Sequence, residues 1–129
     1  MNFASDNVTG ASDEILDALI QANAGQTMPY GNDDRTAGVE AQLSELFETD
    51  LSVFLVATGS AANSLALSVM TPPYGAVLCH WTSHIFEDEC GAPEFFTGGA
   101  RMVPVDGPDG KVDLQDLATK AERGAGDVH

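Results

Sequence analysis

The chain has 129 residues, 43% of them hydrophobic, and carries 20 acidic against 5 basic residues. A chain of this length is one domain or part of one, able to bury roughly two-thirds of its unfolded surface, and its apolar content sets it apart from disordered sequences. A net charge of −15 excludes nucleic acid and anionic membrane as partners, since both need a basic surface, and no run approaches the roughly 20 apolar residues of a membrane helix.

Residues 1–11 are polar, lack a helical period and read as an N-terminal arm with no basic and apolar secretory signal. Ser12 is placed to cap a helix whose first turn carries Asp13 and Glu14 and whose apolar stripe is Ile15, Leu16, Leu19 and Ile20. Asn23 and Gly25 stop it, and residues 26–38 read as a loop rich in Gly, Pro, Asn and Asp, with Tyr30 as a half-buried aromatic. Val39, Leu43, Leu46 and Phe47 then set out a second helix.

Residues 51–57 are nearly all apolar, the pattern of a strand buried on both faces of a parallel sheet. The run passes into Thr58-Gly59-Ser60 and a helix rich in Ala and Leu that extends to about Met70, where Pro72-Pro73-Tyr74-Gly75 ends it. A Gly and two hydroxyls at a strand-to-helix turn offer backbone N–H groups and the helix dipole to an anion such as phosphate. By itself the tripeptide is as simply a tight turn with Ser60 as N-cap. It lacks the Lys of a Walker loop and the G-x-G-x-x-G spacing of a dinucleotide fold.

A second short strand covers 76–79, residues 81–93 read as a loop leading into a short helix, and Gly98-Gly99 precedes a third strand over 101–105. Residues 108–111 form a turn, and 113–123 a helix with Leu114, Leu117 and Ala121 inward. The alternation defines an α/β fold with a mostly parallel sheet and flanking helices. His80, His84 and Glu87 or Cys90 could be read as metal ligands, but their spacing fits no standard zinc module. A His just past a parallel strand is better placed for a ligand in the crevice at the strand ends. Cys79 and Cys90 make no disulfide framework; both read as packing residues, and a reducing cytoplasm is the default compartment.

Four segments in this order carry a family resemblance. They are Ser5-Asp6-Asn7-Val8-Thr9, Tyr30-Gly31-Asn32-Asp33, Ala57-Thr58-Gly59-Ser60-Ala61-Ala62-Asn63, and Ser83-His84-Ile85-Phe86-Glu87-Asp88-Glu89. Together they resemble the "SD-x-VT", "YG-x-D", "SGT-x-AN" and "SHI-x-x-x-E" signatures of the threonine aldolase and β-eliminating lyase family of pyridoxal-phosphate enzymes. The resemblance implies part of the large domain of a PLP-dependent transferase-like fold, with pyridoxal 5'-phosphate as cofactor. It implies that Thr58, Gly59 and Ser60 hold the cofactor phosphate, that His84 stacks on the pyridine ring near the substrate hydroxyl, and that Glu87 or Glu89 orients His84. It implies that Ser5 and Tyr30 bind the amino acid substrate. The reaction implied is retro-aldol cleavage of a β-hydroxy-α-amino acid to glycine and an aldehyde, with β-elimination on another amino acid as the alternative, in a homodimer or homotetramer.

Two departures stand out. Arg35 occupies a position where many members have Pro. The family's Schiff-base lysine, the aspartate at the pyridine nitrogen and the carboxylate-binding arginine correspond to positions beyond residue 129. Lys111 lies in a turn and Lys120 on the solvent side of an acidic helix, so both read as surface charges. Residues 1–129 are therefore expected to be the N-terminal portion of one large domain, inactive alone, without the rest of that domain and the C-terminal small domain.

Overall fold

A computed structural model describes residue 4 and residues 8–126. Most of the expected arm, including Ser5 and Asp6, lies outside the described residues. The chain divides into two compact units, Met1–Val53 and Phe54–His129.

In the first unit, helix α1 spans Asp13–Ala22 and is preceded by Ser12 in extended conformation. Ser12 does not cap the helix with its side chain. Glu14's own N–H and the Ser12 hydroxyl instead hold the Glu14 carboxyl below its ordinary value. The stripe of Ile15, Leu16, Leu19 and Ile20 is exposed. Helix α2 spans Asp34–Leu46 and so begins inside the expected loop. The cause is Asp33, whose carboxylate accepts the N–H groups of Arg35 and Thr36, each at 3.0 Å, and the Thr36 hydroxyl at 2.7 Å. Three donors on one side chain settle a helix start that the neighbouring glycines disfavour. Arg35 reaches back from the first turn to the Gln21 carbonyl at 3.4 Å. Tyr30 is 96% exposed, with φ at 63°, and not half-buried: its left-handed backbone turns the ring into solvent.

The Thr36 side chain, then its backbone, lower the Asp33 pKa below the ordinary 3.8. A depressed carboxyl pKa contributes stability above the unfolded value, lost as pH falls through the folded one. Asp33→Ala is therefore expected to lower helicity and melting temperature at pH 7. The gap from the parent should close as the solution is acidified below pH 3.8. A gap that persists at the acid end, by circular dichroism, would count against the cap.

Residues 51–57 form no ladder among the described residues, and Phe54 and Leu55 are 85% and 76% exposed. The expected buried strand is corrected: an apolar run becomes a strand only where a neighbour pairs its backbone, and the sheet here has two strands. Helix α3 spans Gly59–Met70. It ends at Thr71, held extended by the proline that follows. Strand β1, Ala76–His80, pairs in parallel with β2, Arg101–Val105, in the register Ala76↔Arg101 to His80↔Val105.

The crossover holds two short helices rather than one, α4 at His84–Glu87 and α5 at Ala92–Phe96. Cys90 and Gly91, at φ 51° and 76°, turn the chain between them. That turn leaves Cys90 exposed, so only Cys79 is a packing residue. Helix α3 packs on α5, with Ser64 and Pro93 buried, and Ala100 and Val105 are fully buried. The buried Thr97 closes α5 by donating to the Pro93 carbonyl and accepting from the Ala100 N–H.

A 3-10 turn, Pro108–Gly110, leads to α6, Leu114–Gly126. Asp113 caps α6 by accepting from the Gln115 and Asp116 N–H groups. Leu114 is 77% exposed and Ala121 is exposed too, because α6 rests on the strands through other residues. Lys120 is one of them and not a free surface charge. Its ammonium donates to the Pro104 carbonyl and to Asp116, both at 2.7 Å, and Asp116 in turn accepts the Asp106 N–H at 2.8 Å.

Candidate active site

Helix α3 starts on an open turn. Its N-cap is Thr58, not Ser60: the Thr58 hydroxyl oxygen accepts the Ala61 N–H at 3.1 Å and its carbonyl accepts the Ala62 N–H at 3.1 Å. Among the described residues, the Gly59 and Ser60 N–H groups and the Ser60 hydroxyl have no hydrogen-bond partner. A Cβ added at Gly59 would meet nothing within 4 Å. Two unpaired N–H groups at the start of a twelve-residue helix, beside an uncrowded Cβ position at Gly59, suit a phosphate monoester.

His84 opens α4, four residues after His80 ends β1. Its Nδ1 lies 2.8 Å from Oε1 of Glu89, whose side chain is fully buried while that of His84 is 63% exposed. The same Oε1 accepts from Asn63 Nδ2 at 2.7 Å. Either Nδ1 or Oε1 can carry the hydrogen of this contact, and when Glu89 is ionised it is Nδ1, which leaves Nε2 on the side away from Glu89. One oxygen thus joins α3, one turn beyond Gly59, to the ring of His84.

Of the two acids expected to orient His84, Glu89 makes the contact and Glu87 is exposed in the first turn of α4. Asn63, quoted in a motif but given no role there, belongs to the same cluster. His80 has both ring nitrogens engaged: Nδ1 accepts the Thr82 N–H at 3.1 Å, so Nε2 donates to the Gly107 carbonyl at 2.9 Å. That makes His80 a brace between β1 and the turn after β2 rather than an open ligand. Tyr30 belongs to the first unit.

The frame that carries this cluster is the α/β fold of pyridoxal-phosphate enzymes of fold type I, present in part. Threonine aldolase from Leishmania major superposes with a TM-score of 0.84 at 30% identity, covering 94% of this chain and 35% of that one. The model of the beta-eliminating lyase family matches residues 2–129, and the chain belongs to that family. Low specificity L-threonine aldolases from Pseudomonas aeruginosa and from a second Pseudomonas strain are each 41% identical over 130 residues. Those alignments take in 98% of this chain and 36% of each relative, so the chain spans about a third of their length. Among the described residues no helix is long and apolar enough to cross a membrane.

Proposed function

We propose that this chain supplies the phosphate-holding and ring-facing part of a pyridoxal-phosphate-dependent threonine aldolase. The observation that carries the reading is the carboxylate-held His84 tied through Glu89 and Asn63 to the helix with the open Gly59-Ser60 turn. Gly59 and Ser60 would hold the cofactor phosphate through their N–H groups, with the hydroxyls of Ser60 and Thr58 as further donors. His84 would lie on the pyridine ring, fixing its plane. Bound pyridoxal phosphate supplies the electron sink for cleavage beside the substrate's α-carbon. The Nε2 lone pair of His84 would take the proton of the β-hydroxyl as the bond between the α- and β-carbons breaks, releasing an aldehyde and leaving glycine.

Ser5 and Tyr30 are proposed substrate contacts, and Glu89 rather than Glu87 the acid that orients His84. We read residues 1–129 as the N-terminal portion of one large domain, with 1–11 as its arm. The working protein is a homodimer or homotetramer in the cytoplasm, a reducing compartment in keeping with the free thiols of Cys79 and Cys90. Lys120 is held by Asp116 and Pro104, and Lys111 is exposed in a turn. Residues 1–129 alone should therefore release no glycine from threonine; a pyridoxal-phosphate-dependent release from the purified fragment overturns that.

The test of the whole reading is Gly59→Val in the intact protein. The open space at Gly59 leaves folding undisturbed, so the melting temperature should stay within a few degrees. The added methyl groups would crowd the turn that carries the two N–H groups. Pyridoxal-phosphate affinity should fall by roughly tenfold or more, the order of losing a charge-assisted hydrogen bond. Unchanged affinity removes the phosphate from this turn. Parent protein that yields no glycine from threonine, but releases pyruvate and ammonia from an amino acid with a β-carbon leaving group such as serine, turns the reading from aldol cleavage to β-elimination.

A further inference from the structure

We infer that Asn63 is a positioning residue that sets the tautomer of His84 by keeping Glu89 Oε1 a hydrogen-bond acceptor. The inference rests on the proposed work of His84 at the cofactor, and extends it to a residue that touches neither cofactor nor substrate.

Glu89 is buried with its two oxygens in unequal surroundings. Oε1 takes both neighbours, Asn63 Nδ2 at 2.7 Å and His84 Nδ1 at 2.8 Å, while Oε2 is buried with no partner among the described residues. A carboxyl and an imidazole can make this contact in two ways, the second holding one more proton, taken from solvent. Either Nδ1–H donates to a carboxylate oxygen and Nε2 is left as a base, or Oε1–H donates to Nδ1 and the ring proton sits on Nε2. The second arrangement removes the lone pair that aldol cleavage needs from His84.

Asn63 separates the two. Its Nδ2 can only donate, and a carboxylate oxygen accepts such a bond far better than the hydroxyl oxygen of a carboxylic acid. The assignment does not hang on which way the amide is drawn. With the amide turned over, its carbonyl would take the only proton Oε1 could carry, and Nδ1 would still have to donate. Asn63 lies on the same helix as Gly59 and one turn along it. One hydrogen bond therefore links the phosphate turn to the protonation pattern of the ring.

The test reads the ring directly, without turnover. The intact protein is labelled with 15N-histidine, the His84 signals are assigned by their loss in His84→Gln, and long-range 1H–15N correlations, taken at one fixed pH for parent and variants, give the Nδ1–H to Nε2–H ratio. The parent is expected to show the Nδ1–H form. Asn63→Leu, similar in volume and without a donor, should shift the ratio roughly five- to tenfold toward Nε2–H, the difference between a charged and a neutral acceptor. Asn63→Gln, which keeps an amide donor, should stay within about twofold of the parent. The inference is overturned if the parent itself carries Nε2–H, or if folded Asn63→Leu keeps the parental ratio. Should Asn63→Leu not fold, Asn63→Ala gives the same reading. A protein that shows this shift but binds no pyridoxal phosphate leaves the coupling standing and removes the proposed function. One that binds cofactor and cleaves threonine with no shift does the reverse.

Discussion

Gly107→Ala is expected to cost about 3 kcal/mol or more in stability, and its neighbour Gly110→Ala only about 1–2 kcal/mol. Both sit in the turn between β2 and α6, but for different reasons. A Cβ at Gly110 would meet open space, so its penalty is that of a left-handed backbone at φ 72°. A Cβ at Gly107 would overlap the Lys111 carbonyl oxygen and come within 2.7 Å of the Asp113 nitrogen. Neither of those atoms belongs to a side chain that can swing away, and Asp113 is fixed by its N–H to the Asp106 carbonyl at 2.7 Å. Relief would require the turn to open. That would take the Gly107 carbonyl off His80 Nε2 and leave a buried imidazole short of an acceptor. The expected drop in melting temperature is roughly 6–12 °C for Gly107→Ala. A variant that melts with the parent would mean that the turn does not hold this geometry.

How much of this was legible depended on whether the deciding contact was local. The strand at Arg101–Val105 is legible to the residue, because Gly98-Gly99 and Pro108 fence a short run in which Met102, Val103 and Val105 are apolar. The helix after Gly59 was likewise set by local signals, a turn before it and two prolines after it. Residues 51–57 carry the strongest apolar run in the chain, yet a strand also needs a partner, which no property of the run itself specifies. The start of α2 was missed for the opposite reason. A single local signal, Asp33 as cap, was present but outvoted by the glycines around it.

Within the cluster, Gly59, Ser60 and His84 were legible from the turn and the motifs. The choice of acid was not. On a continuing helix the residue three after His84 shares its face, which favours Glu87. But α4 stops at Glu87, and Asp88 leaves helical geometry at φ −115° and ψ 1°, so it is the residue five after His84 that meets its ring. Asn63 was harder still, because its bond to Glu89 spans 26 residues and exists only once α3 has packed on α5.

His84→Phe is expected to divide the two tasks proposed for this side chain. Phenylalanine keeps a flat ring to lie on the pyridine but has no nitrogen to take a proton. Pyridoxal-phosphate affinity should stay within about threefold, while kcat/KM for threonine falls by roughly 10²–10⁴, the span of a lost general base. His84→Ala should lose the affinity as well. Glu89 complicates the comparison, since either variant leaves its buried Oε1 with Asn63 as sole partner. An acceptor that loses one of two donors weakens folding by about 1–3 kcal/mol. That penalty is the same for Phe and Ala, so a difference between the two in cofactor affinity reports the stacked ring and not the buried acid. Activity in His84→Phe within tenfold of the parent would take the proton from His84 and leave it a stacking residue only. The tautomer set by Asn63 would then have no bearing on turnover, although it could still be read in the ring.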